Sequence, residues 1–428
     1  MRIFIGSKEV AGIFTFLYFG FKELGIDVSI FFPEQHVYKY QDVKKSWMER
    51  VLSQLHRFLY QKRKIKIVRV VGYSIYEFIK FWVHLIYFPY VLIKYDVFIF
   101  SSGTTFFWGY DLPIFRFFGK KVIAVFTGSD TRPVYINPYL HGTSIGILTQ
   151  KARLQKKKIQ KLEKYGVICI NNPPTAIFHS KPYIKWLNIG IPVKRNFSPT
   201  TPKEKNKTLE ILHSPSNSGI KGSKHILNSM AKIESKYKND PSKNIKFTLL
   251  QGVPNSEVVN YIQRSDFMID QLFSDTPMAV FAAEAAFFGK PSIVAGTYAK
   301  DIHHHYGTKD IPPSLYITPD KIDEAIEKMI EDDAYRIQLS EATQKFVHEK
   351  WSPKEVAKKY LRIINNDIPK NWWSDPNNDL LDVYPIGEDE LVYVVVKKII
   401  DKYGLPALQI SDKPHLEKII LERVKKFT

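Results

Sequence analysis

Short, wholly apolar runs alternate with longer stretches of helical period along most of the chain. That alternation predicts parallel strands buried on both faces, with helices between them. The pattern opens at residues 2–6, a first strand, followed by a tight loop at 8–12. A helix over 13–24 ends at Gly25, and a second strand covers 26–32. Gly12 falls where backbone must come close to a ligand or a neighbouring element. Further strands are predicted at 95–100, 121–126, 167–170 and 186–190, with helices at 111–118 and 151–165. The polar residues of 101–105 and 127–132 both follow strands. They deliver hydroxyl, glycine, acid and guanidinium groups to one rim, with Asp130 and Arg132 among them.

A stretch rich in Pro, Lys and Thr at 197–207 marks a domain boundary. The alternation then resumes: strands at 209–213, 245–250, 267–269 and 292–295, and helices at 223–237, 256–264, 321–332, 334–350 and 353–364. The expected organisation is therefore α/β throughout. Two βαβ domains, 1–196 and 208–364, are joined by the linker and followed by a helical extension, 365–428.

The candidate chemistry gathers at carboxyl ends of strands in the second domain, where open parallel sheets bind ligands. One loop carries Ser214, Ser216 and Asn217, then Lys221 and Gly222 at a helix start. There a lysine supplies a point charge to a diphosphate and a glycine lets backbone approach it. Another runs from Asp270 and Gln271 through Ser274 and Asp275 to Thr276 and Pro277. Thr276 reads as an N-cap and Pro277 as the first helical residue, and such a terminus favours phosphate. Glu284 is the one acid in the small, apolar helix that follows. A carboxylate there suits ribose hydroxyls.

Composition changes the picture in three places. Hydrophobic residues at 44% and charged residues at 25% are those of a soluble protein with ample core. The formal net charge of +19 admits anionic membrane, nucleic acid or phosphorylated substrates as partners. Much of it lies in 44–94, where lysine and arginine face only Glu49 and Glu77 and are interleaved with aromatic residues. Its most apolar part, 78–93, is shorter than a bilayer span, holds Lys80 and His84, and is broken by Pro89. Two readings stand: a helix in the interface of an anionic leaflet, or a helical pair with one face in the core. No RNA-binding motif accompanies it, so nucleic acid is not expected. The single Cys169 excludes an internal disulfide framework and fits a reducing cytoplasm. Residues 1–6 form a strand and not a signal peptide. Consecutive His303, His304 and His305 cannot all face one ion; they are expected in a mobile polar loop, with no metal. The absence of a G-x-G-x-x-G excludes the usual dehydrogenase fingerprint.

The runs Ser214-Pro-Ser-Asn…Lys221-Gly222, Gly252-Val-Pro-Asn255, Asp270-Gln271, Glu284-Ala285…Gly289-Lys290-Pro291 and Phe346-Val-His-Glu-Lys-Trp351 resemble the donor-binding half of GT-B glycosyltransferases. The closest likeness is to the retaining family 4 group of bacterial polysaccharide assembly. Gly128-Ser-Asp130-Thr-Arg132 is similar to the acceptor side of the same group. The resemblance covers roughly residues 1–364. It implies a cytoplasmic enzyme, peripheral to the membrane, that moves a sugar from a nucleotide-sugar donor to a glycan or lipid-linked acceptor, without cofactor or metal. It also implies that Lys221 holds the diphosphate, that Glu284 holds the ribose as the second acid of an E-x7-E pattern, and that Asp130 lies near the reacting carbon. The helix would then open nearer Val280, with Glu284 in its first turn. Two positions depart from the family: Thr276 stands where the first glutamate belongs, with Asp275 beside it, and no arginine precedes Lys221. Epimerisation of a nucleotide sugar and a non-catalytic scaffold are the alternatives on the same fold.

Overall fold

The computed structural model describes residues 1–34, 46–62, 65, 68–128, 130–137, 143–194, 208–377, 382–385 and 387–427. The predicted linker at 197–207 lies outside the described residues. The first domain runs β1 (Arg2–Gly6), α1 (Ile13–Glu23), β2 (Asp27–Phe31), α2 (Trp47–Gln61), α3 (Tyr73–Lys94), β3 (Val97–Ser101), α4 (Leu112–Phe117), β4 (Lys121–Val125), α5 (Ile145–Lys164), β5 (Ile168–Asn171), β6 (Tyr183–Lys185) and α6 (Trp186–Ile189). The second runs β7 (Leu209–His213), α7 (Ser223–Tyr237), β8 (Ile245–Leu249), α8 (Asn255–Arg264), β9 (Phe267–Gln271), α9 (Val280–Phe287), β10 (Ser292–Ala295), α10 (Ile302–His305), β11 (Leu315–Ile317), α11 (Ile322–Glu331), α12 (Asp333–Lys350) and α13 (Pro353–Ile364). A tail adds β12 (Trp373–Ser374), α14 (Asp389–Tyr403) and α15 (Pro414–Val424).

Two sheets result, ordered β12-β6-β5-β4-β3-β1-β2 and β11-β10-β9-β7-β8. Every pairing is parallel except β12 on β6. The central strands are buried along nearly their whole length, as in β3 and β9. Edge strand β8 shows the half-exposed pattern of a strand with one uncovered side. The apolar runs therefore act as expected of a sheet covered on both faces.

The chain returns to the first domain after α12. Helix α13 crosses α1 so closely that a Cβ on Gly20 would lie 2.0 Å from the Pro353 carbonyl oxygen. One apolar cluster consequently includes Ile13 and Leu17 of α1, Tyr360 of α13 and Ala282 of α9. The tail also belongs with this half. Trp373 pairs with Ile184 across β12 and β6, and α14 and α15 bury Val392, Val396 and Ile420 against Leu148 and Ile159 of α5.

Three local expectations are corrected. Residues 186–190 are not a strand: β6 ends at Lys185, and α6 stops at Gly190, whose φ of +91° and contact with the Trp351 indole suit only glycine. Pro89 does not break α3, which continues past it; the missing N–H falls on an exposed turn. The histidine run is not a polar loop. It forms α10, with His305 buried and its Nε2 3.2 Å from the Tyr384 hydroxyl.

In the described part of the 44–94 segment one helix face is in the core, as the second reading expects. Tyr76, Phe88 and Val91 enter the core with Leu52 and Leu59. On the other side of α3, Ile75, Phe78, Trp82, Ile86 and Ile93 lie on one exposed stripe. No helix among the described residues is long and apolar enough to cross a membrane.

Candidate active site

The second domain builds its rim from the residues upward. After β7 the chain folds into a turn in which the Lys221 N–H donates to the Asn217 carbonyl (3.1 Å) and the Ile220 N–H to Asn217 Oδ1 (3.1 Å). Gly222 then adopts φ +71° at the start of α7. A Cβ there would meet Leu272 Cβ at 2.7 Å, so glycine alone lets this loop lie against the end of β9. Lys221 is thereby held over β9, its Nζ donating to the Gln271 side-chain oxygen. Behind it, His213 bridges the Ile269 carbonyl and the Ser223 hydroxyl, both at 2.8 Å; burial lowers its pKa to about 4, so the ring stays neutral.

Lys221 opens onto a cavity of about 340 Å³ lined also by Ser214, Ser216, Asn255, Asp270 and Glu284, a volume in the range of small-ligand sites. The first domain closes it with Ala11 and Thr127. Glu284 is buried, and both its oxygens lie 3.2 Å from Asn255 Nδ2. Asp270 is buried too, and its Oδ2 has no hydrogen-bond partner among the described residues. Burial raises the Asp270 pKa, opposed by the charge of Lys221. Ala279, Val280 and Phe281 bring the start of α9 to the same cavity, and no side chain among the described residues caps it. Its unbonded N–H groups and the positive end of its dipole therefore face the site.

The helix starts at Val280, as the family resemblance implies, and not at Thr276. The Ser274 hydroxyl donates to the Thr276 carbonyl (2.6 Å) and accepts from the Thr276 N–H (3.2 Å), closing a local turn that delays the helix. Glu284 is the fifth helical residue, so it opens the second turn and not the first. Thr276 does not line the cavity. Neither does Asn217, which serves the turn.

In the first domain, Gly12 has φ +83° ahead of α1. The N–H groups of Phe14 and Thr15 are taken by the buried Glu9 carboxylate. This helix end is thus already neutralised by its own chain, and α9 supplies the open one. Asp130 lies outside the cavity lining; its Oδ2 accepts from the Ser102 hydroxyl (2.7 Å) and from Thr127 (3.3 Å), tying two rim loops together. Sequence reasoning did not foresee the pairing of Asn255 with Glu284, nor the ion pair of Arg132 with Asp275 between the two domains. An asparagine directly after Pro254 at a helix start was the available signal for the first. Nothing local signalled the second.

No protein-family model matches the chain, and no curated protein matches its sequence. Among solved structures, trehalose-6-phosphate synthase (OtsA) aligns over 86% of this chain and 100% of its own, with a TM-score of 0.55 at 12% identity. The fold is GT-B. Looser likenesses include HepE from Anabaena in complex with UDP, at 11% identity, 86% and 100% coverage and TM-score 0.45. WaaG, a glycosyltransferase involved in lipopolysaccharide biosynthesis, follows at 12% identity, 85% and 99% coverage and TM-score 0.45. Within the GT-B frame, the cavity occupies the cleft between the two domains, with nearly all of its polar groups supplied by the second.

Proposed function

We propose that the chain is a glycosyltransferase that moves a sugar from a nucleotide-sugar donor to a glycan or lipid-linked acceptor, with retention, in surface polysaccharide or glycoconjugate synthesis. The observation that carries this reading is the content of one cavity: Lys221, the uncapped start of α9, and the buried carboxylates of Asp270 and Glu284. A cation and a helix N-terminus suit a diphosphate. Carboxylates at the sides suit the hydroxyls of ribose and sugar.

In this mechanism the bond from the sugar's anomeric carbon to the diphosphate breaks as the bond to the acceptor oxygen forms. Lys221 and the α9 dipole stabilise the charge that develops on the departing diphosphate, and a diphosphate oxygen takes the acceptor's proton. Glu284 fixes the nucleotide ribose, and Asp130 orders the facing rim through Ser102 and Thr127. Neither metal nor cofactor is assigned a role. Isothermal titration with a panel of UDP-, GDP- and CMP-sugars, followed by product analysis, tests the reading. One nucleotide series is expected to bind, with the sugar passing to an acceptor. Binding with interconversion and no transfer would indicate an epimerase, and no binding to any would indicate a scaffold.

We also place the protein on the cytoplasmic face of an anionic membrane, through the exposed stripe of α3 with Trp47 and Phe58 of α2. Co-sedimentation with liposomes is expected to require acidic lipid and to weaken as salt is raised. Equal binding to neutral vesicles would remove this part.

A further inference from the structure

We infer that Arg132 and Asp275 are a positioning pair: their ion pair sets the register of the two rims across the cleft, so that the transferred sugar is placed by domain closure where the family uses a glutamate in this loop. The inference rests on the glycosyltransferase reading only for its consequence on transfer.

The two residues are 143 positions apart. The guanidinium Nε contacts Asp275 Oδ2, and both side chains are largely withdrawn from solvent, at 12% and 5% exposure. A pair this shielded is screened far less than a surface salt bridge, and removing one partner leaves the other charge buried. Each partner's loop is tied by further hydrogen bonds. The Arg132 carbonyl accepts from Gln155 of α5 (3.0 Å), its N–H reaches the Gly128 carbonyl (3.1 Å), and neighbouring Thr131 is buried against Asn171. On the other side, the Ser274 N–H donates to the Ala295 carbonyl (2.8 Å), and the Ser274 hydroxyl closes the turn whose tip is Asp275. The α1–α13 crossing and the shared apolar cluster join the two domains behind the cleft, and the ion pair ties their rims at its mouth.

The pair is also connected to the donor side. Lys221 donates to Gln271, the Gln271 amide donates to the Ser274 hydroxyl, and that hydroxyl holds Thr276. A diphosphate at Lys221 competes with Gln271 for its ammonium, at one end of a hydrogen-bonded chain that ends beside Asp275. The acid in this loop therefore faces the other domain.

The test pairs a ligand-free readout with a kinetic one. Spin labels on cysteines placed at the exposed Lys151 and Lys224 report the interdomain distance, since Cys169 is buried. The parent is expected to give a narrow distance distribution. Arg132→Ala and Asp275→Ala are expected to broaden it, and the exchanged pair Arg132→Asp with Asp275→Arg to narrow it again. With a donor and acceptor in hand, each single variant is expected to lose about tenfold to hundredfold in kcat through misplacement of the reacting groups. Nucleotide Kd should stay within about twofold of the parent, because Lys221 and Glu284 are untouched, and the exchange should recover rate. Distance distributions that match the parent in both single variants overturn the inference, as does an unaltered kcat. If the parent transfers no sugar, the glycosyltransferase reading fails by itself and the distance measurement alone decides the pair.

Discussion

Lys221→Ala is expected to raise the dissociation constant for the donor nucleotide about tenfold or more, because a hydrogen bond to a charged group is worth about 1.5–3 kcal/mol. The ammonium already stands at the cavity, directed by the Gly222 backbone and held by Gln271. It also adjoins Asp270, whose carboxyl burial pushes upward in pKa and Lys221 opposes. Removing the lysine deletes the attraction for diphosphate and leaves a buried acid without its compensating charge. Titration calorimetry with the nucleotide that binds the parent is the measurement. An unchanged constant would sink the diphosphate assignment.

Trp351→Ala is expected to cost about 3–5 kcal/mol of stability, the range for emptying a large aromatic site in a core. Trp351 is 1% exposed and meets Phe346 edge to face at 5.6 Å. Its indole also occupies the space above Gly190, where a Cβ would lie 2.2 Å from Cδ1, and its carbonyl accepts from the Val193 N–H (3.0 Å). The residue thus fastens the end of α12 to the end of the first domain, at the point where the chain turns into α13. A lower denaturation midpoint in urea, largely restored by Trp351→Phe, is the expected result. A midpoint equal to that of the parent would show that the contact carries little of the join between α12 and the first domain.

Much of this molecule follows from short-range pattern. The apolar runs became the strands of two parallel sheets, and α7, β10 and α13 fall where glycine, proline and period placed them. The lysine–glycine pair before a helix and the lone acid of an alanine-rich helix were legible as chemistry, and one cavity holds both. The misjudged elements share a cause. Thr276 has the character of a cap, yet the Ser274 hydroxyl claims its backbone first. Residues 186–190 have a strand's composition, yet Gly190 must yield to Trp351. Pro89 has a breaker's character, yet packing of α3 on the core outweighs one lost hydrogen bond. For Gly190 and for α3, a contact that no local window contains outweighed a propensity of about 1 kcal/mol or a few; at Thr276 the competing hydroxyl is only two residues away.

What the sequence determined by itself was the class of the fold, most of the strands and helices in their order along the chain, and the residues with the chemistry to hold a diphosphate and hydroxyls. Periodicity, capping and turn preference are properties of neighbours, so they can be read from neighbours. Only the tertiary structure decided which acids face the cavity, that Asn255 holds Glu284, that Glu9 closes the first domain's helix, and that Asp275 is directed to Arg132. Asn255 meets Glu284 only once α8 and α9 pack side by side, and Asp275 meets Arg132 only once the two sheets are set against each other; Glu9 reaches the start of α1 through the backbone path of the loop between them.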